Sequence, residues 1–459
     1  MTGVQTCALP ICKVGFYGQA SAEWRKMVTL SLTGRYDGSS VLSTNKQFYT
    51  YASASAGFIF TELLHMNSNP ILNFGKLRVA YSGVGDDATQ PYSLTNPYIQ
   101  DGQAIPIGNI IFPYNGQNGY TLTTTYAFPV KNETIKEFET GIETHWLHDR
   151  ITFDATYYDK KSTNLLTQGV PYSGAVGYAA ANQNAGSIDN KGVELELGVT
   201  PVKTRDITWH IDANWTKNTN KVVELAPGVP YLQFAGFTDP GIYAFANQAY
   251  GVVYGTHYQR NAQGQMLIDD NGYGVVASTV DPIGNVTPKW IAGLSNSLTY
   301  KAFTFNFTLD MKHGGQVINF DDHYLDAYGT SKRTAARDQT TILKGVNATT
   351  GKPNTVQIQT GQEYFQEHYS TVDETSVEDA SFLKLRSVGL SYNFAQDMLR
   401  GGLFKSLTLT ATGTNFILHK NYQGSDPEVS LNGSGNGQGF GNFTAPSNRS
   451  FILGLRATF

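Results

Sequence analysis

The alternation of apolar and polar residues along this chain predicts a fold made of long β-strands. In residues 303–312 every second side chain is apolar (Phe, Phe, Phe, Leu, Met), and the side chains between them are Thr, Asn, Thr, Asp and Lys. Successive side chains of a strand point to opposite faces, so this segment has one apolar and one polar face. The thirteen strands predicted in this way are residues 13–24, 27–36, 48–62, 74–85, 137–147, 150–165, 190–200, 207–218, 290–300, 303–314, 380–395, 404–417 and 448–459.

Two segments depart from this simple pattern. In the strand 380–395 the apolar positions change parity after Leu385, which predicts a β-bulge near Ser387. Residues 249–258 form a further predicted strand, which we place inside a long connection because a spanning strand there would break the order of connection lengths.

The lengths of the connections indicate which solvent the apolar faces meet. The short connections are residues 25–26, 63–73, 148–149, 201–206, 301–302 and 396–403, and they alternate with the long ones. The long connections are residues 37–47, 86–136, 166–189, 219–289, 315–379 and 418–447. Short periplasmic turns opposite long extracellular loops are typical of outer-membrane barrels, whose apolar faces contact lipid. We therefore predict an all-β fold, a transmembrane antiparallel β-barrel.

The number of predicted strands indicates an incomplete barrel. Bacterial barrels have an even number of strands, and a free sheet edge in lipid would leave backbone groups without hydrogen bonds. Residues 13–459 are therefore expected to be the C-terminal part of a larger barrel. The opening MTGVQTCALPIC, residues 1–12, resembles a translated sequencing adaptor and is expected to be a non-native artefact.

Composition excludes several other classes of protein. The 459 residues carry 33 basic and 37 acidic side chains, which argues against nucleic-acid binding. The low charge with 27 Tyr and 25 Phe argues against a disordered chain. No apolar run approaches the roughly 18 residues of a membrane helix. Cys7 and Cys12 are the only cysteines, so neither a disulfide framework nor a cysteine metal site is expected.

Eight segments along residues 13–459 carry motifs of one known family in that family's order. They are RYDGSS (35–40), TIKEFETGIETHWLHDRITFDATYYDKKSTNLL (134–166), NAGSIDNKGVELEL (184–197), ITWHIDANWTKNTNKVVEL (207–225), IGNVTPKW (283–290), VEDASFLKLRSVGLSYNF (377–394), YQGSDPEVS (422–430) and SFILGLRATF (450–459). The chain thereby resembles the SusC/RagA family of TonB-dependent outer-membrane transporters.

The resemblance implies a location in the Gram-negative outer membrane and gated import rather than enzymatic chemistry. It implies a plug domain inside a barrel of about 22 strands, a short N-terminal box that contacts TonB, and a SusD-like lipoprotein at the extracellular mouth. Typical substrates of the family are oligosaccharides, and some members take peptides. The plug, the TonB box and the first strands are absent from this sequence, so the chain alone is not expected to transport. No cofactor is expected.

Tyrosines in two long loops are the candidate ligand contacts. A Tyr ring can stack on the apolar face of a sugar, and its hydroxyl can bond the polar edge. The alternative is that these rings pack the loops together or anchor the lipoprotein. The candidates are Tyr92, Tyr98, Tyr114, Tyr120, Tyr126, Tyr172 and Tyr178.

The last strand resembles the signal that assembly machinery reads on outer-membrane proteins. Its alternative interpretation is the lipid face of an ordinary last strand. The residues of this candidate signal are Phe451, Leu453, Leu455 and Phe459.

Acidic residues are the remaining candidates for chemistry. Glu194 and Glu196 lie two apart on one strand, roughly 6.5–7 Å from each other, which falls within the range of inverting glycosidases. A hydrated barrel lumen explains such carboxylates better. The acidic segments 268–274 and 320–326 could hold a divalent ion, but solvated loops explain them better, and no metal is expected. Residues 426–429 (DPEV) recur in the family, where Pro427 could serve loop geometry.

Two other functional classes remain open at this point. A passive porin would lack the plug and the TonB box. A soluble carbohydrate-binding β-sandwich or surface glycosidase would place long connections at both ends of its strands. The substrate itself is not predicted, because the loops rather than the strands determine it.

Overall fold

The computed structural model describes residues 2–8, 11–66, 68–87, 94–101, 117, 119–122, 125–176, 178–399, 402–433, 435 and 437–459. Fourteen strands form one sheet in which each strand neighbours its predecessor in the sequence. They are β1 Thr2–Ala8, β2 Ile11–Trp24, β3 Val28–Ser39, β4 Phe48–Ile59, β5 Leu72–Asp86, β6 Glu133–Trp146, β7 Ile151–Thr163, β8 Ser187–Lys203, β9 Ile207–Glu224, β10 Trp290–Tyr300, β11 Phe303–His313, β12 Phe382–Asn393, β13 Ser406–Lys420 and β14 Ser450–Thr458.

Each of the thirteen predicted strands overlaps one of β2–β14. The additional strand, β1, lies in the opening segment that resembles an adaptor, and it pairs antiparallel with β2 from Thr2 opposite Tyr17 to Ala8 opposite Ile11. The expectation that residues 1–12 are non-native stays a prediction.

The predicted bulge is confirmed. Along the β11–β12 ladder Thr308 lies opposite Ser387, but its neighbour Leu309 lies opposite Leu385. Arg386 is therefore the extra residue, one position from the predicted site. A bulge changes which face the following side chains occupy, which explains the change of parity in the sequence.

The apolar faces of the long strands are exposed on the protein surface. On β14 the side chains of Phe451 and Leu453 are 81% and 83% exposed, and on β11 Phe303 and Phe305 are also exposed. A water-soluble β-sandwich would bury these side chains against a second sheet. No α-helix in the described residues is long and apolar enough to cross a membrane.

The chain divides into two compact units. The first comprises residues 1–144, 155–192 and 220–232. Outside the long strands, the described residues of this unit form a three-stranded sheet, one hairpin, the short helix α1 and two 3-10 turns. Their bounds are Thr125–Ala127, Leu166–Pro171 and Ala180–Asn184 for the sheet, Tyr98–Asp101 and Gly119–Leu122 for the hairpin, Phe60–Leu63 for α1, and Thr44–Lys46 and Gly174–Val176 for the turns.

The second unit comprises residues 145–154, 193–219 and 233–459. Its loops hold small sheets and helices of their own. The strands outside the large sheet are Gly241–Phe245, Val252–Gly255, Leu267–Ile268, Asp281–Asn285, Gln316–Asn319, Thr340–Thr341, Val346–Asn347, Ile358–Gln359, Val377–Asp379 and Phe440–Gly441, with Tyr231–Gly236 at the boundary. The helices are α2 Phe320–Ala327 and α3 Gln396–Leu399, with a π-helix Tyr364–Tyr369 and 3-10 turns Arg333–Ala336 and Asp373–Ser376.

Two predictions about these loops have different outcomes. The extra strand within 249–258 is confirmed, because Val252–Gly255 belongs to a small four-stranded sheet and not to the large one. The interpretation of residues 320–326 as an irregular loop is wrong, because they form α2. The side chain of Asn319 accepts a hydrogen bond from the backbone N–H of Asp322 (3.3 Å), and Asp321 lies beside it in the first turn. This cap and these charges stabilise a helix start.

The loops of the second unit enclose a hydrophobic core. Its centre combines side chains from three long connections, residues 219–289, 315–379 and 418–447, and the burial of these side chains holds the loops together. The buried residues of this loop core are Ala235, Ile242, Val253, Ile318, Phe320 and Phe440.

Candidate functional site

A cavity of about 810 Å³ lies in the second unit on the polar face of the long strands. Ile291 of β10, Asp310 and Lys312 of β11 and Phe382 of β12 line one part of it. The loop segments 426–430 and 444–447 line another part, together with residues near Val286 and Gly439. The cavity therefore lies where these strands meet the loops that follow them.

A cluster of charged side chains links the strands to the loop at this cavity. The ammonium of Lys384 donates to Asp426 at 2.5 Å and also contacts Glu428. The guanidinium of Arg386, the bulge residue, pairs with Glu428 at 2.6 Å and with Asp310 at 2.5 Å. Lys384 and Asp426 are 1% and 2% exposed. Because a buried charge is costly without a partner, this cluster holds residues 426–428 against β12.

The two loop carboxylates of the cluster are held in their ionised form. Burial tends to raise the pKa of Asp426, but hydrogen bonds from Lys384 and Ser447 (2.5 Å) outweigh it and bring this pKa below its ordinary value. The pKa of Glu428 is also lowered, because Arg386 and Lys384 outweigh the effect of burial. Both residues are therefore anions at neutral pH.

The cluster gives the DPEV segment a role beyond turn geometry. Asp426 and Glu428 supply its charges, and Val429 packs in a small apolar group with Val317 and Tyr422. The sequence pattern drew attention only to Pro427, and it did not identify Lys384 and Arg386. The available signal was the pair of cations in the otherwise apolar strand segment FLKLRS (382–387).

The structure places five of the seven candidate tyrosines, because Tyr92 and Tyr114 lie outside the described residues. Tyr98 and Tyr120 lie on the two strands of the hairpin Tyr98–Asp101 and Gly119–Leu122, where they are 71% and 59% exposed. These two rings are therefore accessible from solvent.

The other three candidates, Tyr126, Tyr172 and Tyr178, form a cluster with Phe128. The rings of Tyr126 and Tyr178 stack with centroids 4.8 Å apart, and Tyr172 lies 5.4 Å from Tyr178. Phe128 meets the ring of Tyr126 edge-on at 5.1 Å. The hydroxyl of Tyr172 donates to the side chain of Gln183 at 3.1 Å. Packing between the loops thus covers part of the surface of each ring, and all four rings are half-buried.

The candidate assembly residues lie at the end of the chain. Phe451, Leu453 and Leu455 are on β14, Phe459 follows it, and all four side chains are exposed.

Other carboxylates of the polar faces lie beside basic side chains. Glu139 lies 3.6 Å from Arg78, and Asp212 lies 3.0 Å from His210. Within the described residues no group of three or more His, Cys, Asp or Glu side chains is arranged to hold a metal ion.

The carboxyl group of Asp239, in the loops of the second unit, has a pKa well above its ordinary value. Burial, and then the hydrogen bond and charge of Asp373, raise the pKa of Asp239 to about 6. Asp373 also accepts the backbone N–H and the hydroxyl of Thr256, at 2.8 and 2.7 Å. The carboxyl group of Asp239 therefore takes up a proton in mildly acidic solution.

Comparison with known proteins adds sequence and fold relationships to this geometry. The family described as TonB dependent receptor-like, beta-barrel, matches residues 12–416. TonB-dependent receptor P26 of Formosa agariphila is 28% identical over 97% of this chain and 46% of its own length. TonB-dependent receptor SusC of Bacteroides thetaiotaomicron is 25% identical over 97% of this chain and 44% of its own length. The chain thus spans slightly less than half the length of these relatives.

A solved structure shares the fold. The RagAB peptide transporter superposes with a TM-score of 0.74 at 19% identity, over 98% of this chain and 48% of that one. The family that matches is one of receptors and transporters rather than of enzymes.

Proposed function

The chain belongs to the family of TonB-dependent receptor-like β-barrels of the outer membrane, and from this premise we propose that it imports oligosaccharides in a TonB-dependent manner. The observation that carries the proposal is the cavity on the polar face of β10–β12. Its volume of about 810 Å³ suits a chain of a few sugar units, and its lining combines hydroxyl and amide groups with apolar surface, as ligand sites usually do.

The proposal includes two partners and a longer protein. SusC of Bacteroides thetaiotaomicron and the RagAB transporter are the relatives that support a SusD-like lipoprotein at the extracellular mouth. The name TonB-dependent receptor supports contact with TonB. We propose that residues 13–459 are the C-terminal part of such a barrel, with a plug domain and a TonB box in preceding sequence, and that residues 1–12 are non-native.

The exposed loop tyrosines are proposed to contact ligand. Tyr98 and Tyr120 have their rings accessible, and the half-buried rings of Tyr126, Tyr172 and Tyr178 present a continuous aromatic surface. Tyr92 and Tyr114 belong to the same proposal on sequence grounds. Replacing both Tyr98 and Tyr120 by Ala is expected to weaken oligosaccharide binding, because ring stacking and hydroxyl contacts are both lost. Tyr36→Ala, on the apolar face of β3, is the matched control.

The last strand is proposed to serve in assembly as well as in the barrel. Phe451, Leu453, Leu455 and Phe459 present a continuous exposed apolar row that assembly machinery can bind. Deleting Phe459 is expected to lower the amount of folded protein in the outer membrane, measured by the heat-dependent mobility of barrels in detergent gels. An unchanged amount would contradict this part of the proposal.

The decisive experiment measures uptake by cells that carry the complete protein. We expect cells with an intact TonB system to take up a fluorescent oligosaccharide. We expect this uptake to be lost when TonB is deleted, because the plug then stays in place. Uptake that persists without TonB would favour a passive porin. Extraction of the folded chain into buffer without detergent would favour a soluble sugar-binding protein. Uptake of peptides alone, the substrate class for which the RagAB peptide transporter is named, would overturn the assignment to oligosaccharides.

A further inference from the structure

Lys312 differs from the other cations near the cavity. It lines the cavity from the polar face of β11, where it is half-buried between the strands and the loop. Among the residues that the structure describes, no carboxylate lies within ion-pair distance of its ammonium group. Glu428 and Asp379 act on Lys312 only through their longer-range charge.

The neighbouring carboxylates already have cationic partners. Asp426 and Glu428 accept from Lys384, and Glu428 and Asp310 accept from Arg386. These hydrogen bonds fix the carboxylates in the cluster, so none of them needs to move towards Lys312. An ammonium in a partly desolvated cavity gains most from an anion that enters the cavity from outside.

The groups around Lys312 suit a ligand that carries hydroxyl groups close to a carboxylate. The side-chain carbonyl of Gln316 accepts the backbone N–H of Asn285 at 2.8 Å, which leaves its amide group to donate. Thr287, Ser430 and Thr444 add hydroxyl groups to the lining. An acidic sugar presents one carboxylate and several hydroxyls on a single ring, which matches this combination.

Lys312 lies outside the sequence segments in which the chain resembles its family. Lys384, Arg386, Asp426 and Glu428 lie in the segments 377–394 and 422–430, where the chain resembles its family. Lys312 lies between the resembling segments 283–290 and 377–394. The paired cluster is therefore suited to holding the loop in place, and Lys312 is suited to distinguishing ligands.

We propose that Lys312 is an anion subsite of the cavity, which binds the carboxylate of an acidic oligosaccharide such as a uronic-acid oligomer. The subsite rests on the proposed import of oligosaccharides and specifies its substrate class. Its ammonium donates to the entering carboxylate, while the amide of Gln316 donates to a neighbouring sugar oxygen.

The test compares two probes with the same sugar backbone, one with free carboxylates and the other with neutral methyl esters. Binding of pentagalacturonate and of its fully methyl-esterified form is measured by calorimetry on the complete protein in detergent. A charge-assisted hydrogen bond predicts that the acid binds roughly 10-fold more tightly than the ester at low salt. The preference is expected to disappear in Lys312→Gln and to return in Lys312→Arg.

Controls separate a lost subsite from a lost fold. Lys301→Gln, in the turn at the other end of the β10–β11 hairpin, is expected to keep the preference for the acid. Heat-dependent gel mobility confirms that each variant is folded. Equal binding of acid and ester by the wild type, or a preference that persists in Lys312→Gln, would overturn the subsite.

Three further results distinguish this inference from the proposed function. If a pentaglutamate peptide binds in a Lys312-dependent manner and pentagalacturonate does not, the assignment to sugars is overturned. If oligosaccharides are imported with TonB but the acid and the ester bind equally well, the proposed function stands and the subsite fails. Absence of any TonB-dependent uptake would overturn the proposed function itself.

Discussion

Strand β14 and the loop core of the second unit use similar residues in opposite ways. On β14 the ring of Phe451 is 81% exposed, whereas in the loop core the ring of Phe440 is fully buried. Both are Phe residues in β-structure, so residue type does not explain the difference. The loop core must exclude water, while the apolar row of β14 meets the hydrocarbon of the membrane. The comparison teaches that the same residue type serves two environments in this chain. The apolar faces of the long strands contact membrane hydrocarbon, and the loops bury their apolar side chains away from water.

The largest expected effect is at the charged cluster that holds the loop against β12. Lys384→Ala leaves Asp426 buried without its cation, which is expected to destabilise the loop by about 3–5 kcal/mol. Limited proteolysis of segment 421–447 measures the change. Lys405→Ala, an exposed lysine at the start of the β13 hairpin, is the control and should leave cleavage unchanged. Equal cleavage of both variants would show that the cluster does not hold the loop.

Two substitutions, Phe440→Ala in the loop core and Phe451→Ala on β14, test the comparison directly. Phe440→Ala opens a cavity in the loop core and is expected to cost about 3–5 kcal/mol of local stability. Phe451→Ala should cost less, because lipid or detergent fills the vacated space. Hydrogen exchange of the backbone around each site gives both values. If the two costs were equal, the apolar row of β14 would pack against protein rather than lipid.

Adjacent residues of β14 test which face meets lipid. Leu453→Arg places a charge on the lipid face and is expected to lose about 2–4 kcal/mol of folding free energy near the bilayer midplane. Ile452→Arg places the same charge on the opposite face, which already carries Arg456, and should cost less. Denaturant titrations in lipid vesicles measure both variants. The reverse order of the two costs would invert the assigned faces.

The smallest expected effect is a pH dependence confined to the loops. The pKa of Asp239 is about 6 in the fold, above its ordinary value of 3.8, so its protonated form is the one that the fold stabilises. This contribution is complete below pH 3.8 and is lost as the pH rises through about 6. Hydrogen exchange near Thr256, corrected for intrinsic rates, should therefore be slower at pH 5 than at pH 7.5. Asp239→Asn should remove most of the difference, and an undiminished difference in this variant would assign the effect to another group.

The strands were predictable because their signal is local. An alternation such as that of β11 needs only the sequence of the strand itself, and even the bulge at Arg386 leaves a change of parity. Helix α2 was not predicted, because its start depends on a cap at Asn319 in a segment that is rich in turn-forming and acidic residues. The identity of the loop core was not predictable either, because its members come from loops far apart in the chain.

The sequence by itself determined the long strands, their two unlike faces, the alternation of short and long connections and the family. These features follow from residue periodicity and from motifs, which are both read along the chain. Only the tertiary structure decided that Asp426 neutralises Lys384, that Tyr126 stacks on Tyr178, and that Lys312 lines a cavity without a carboxylate partner among the described residues. The physical reason is that charge pairing, ring packing and burial depend on distances between residues that folding brings together from separate strands and loops.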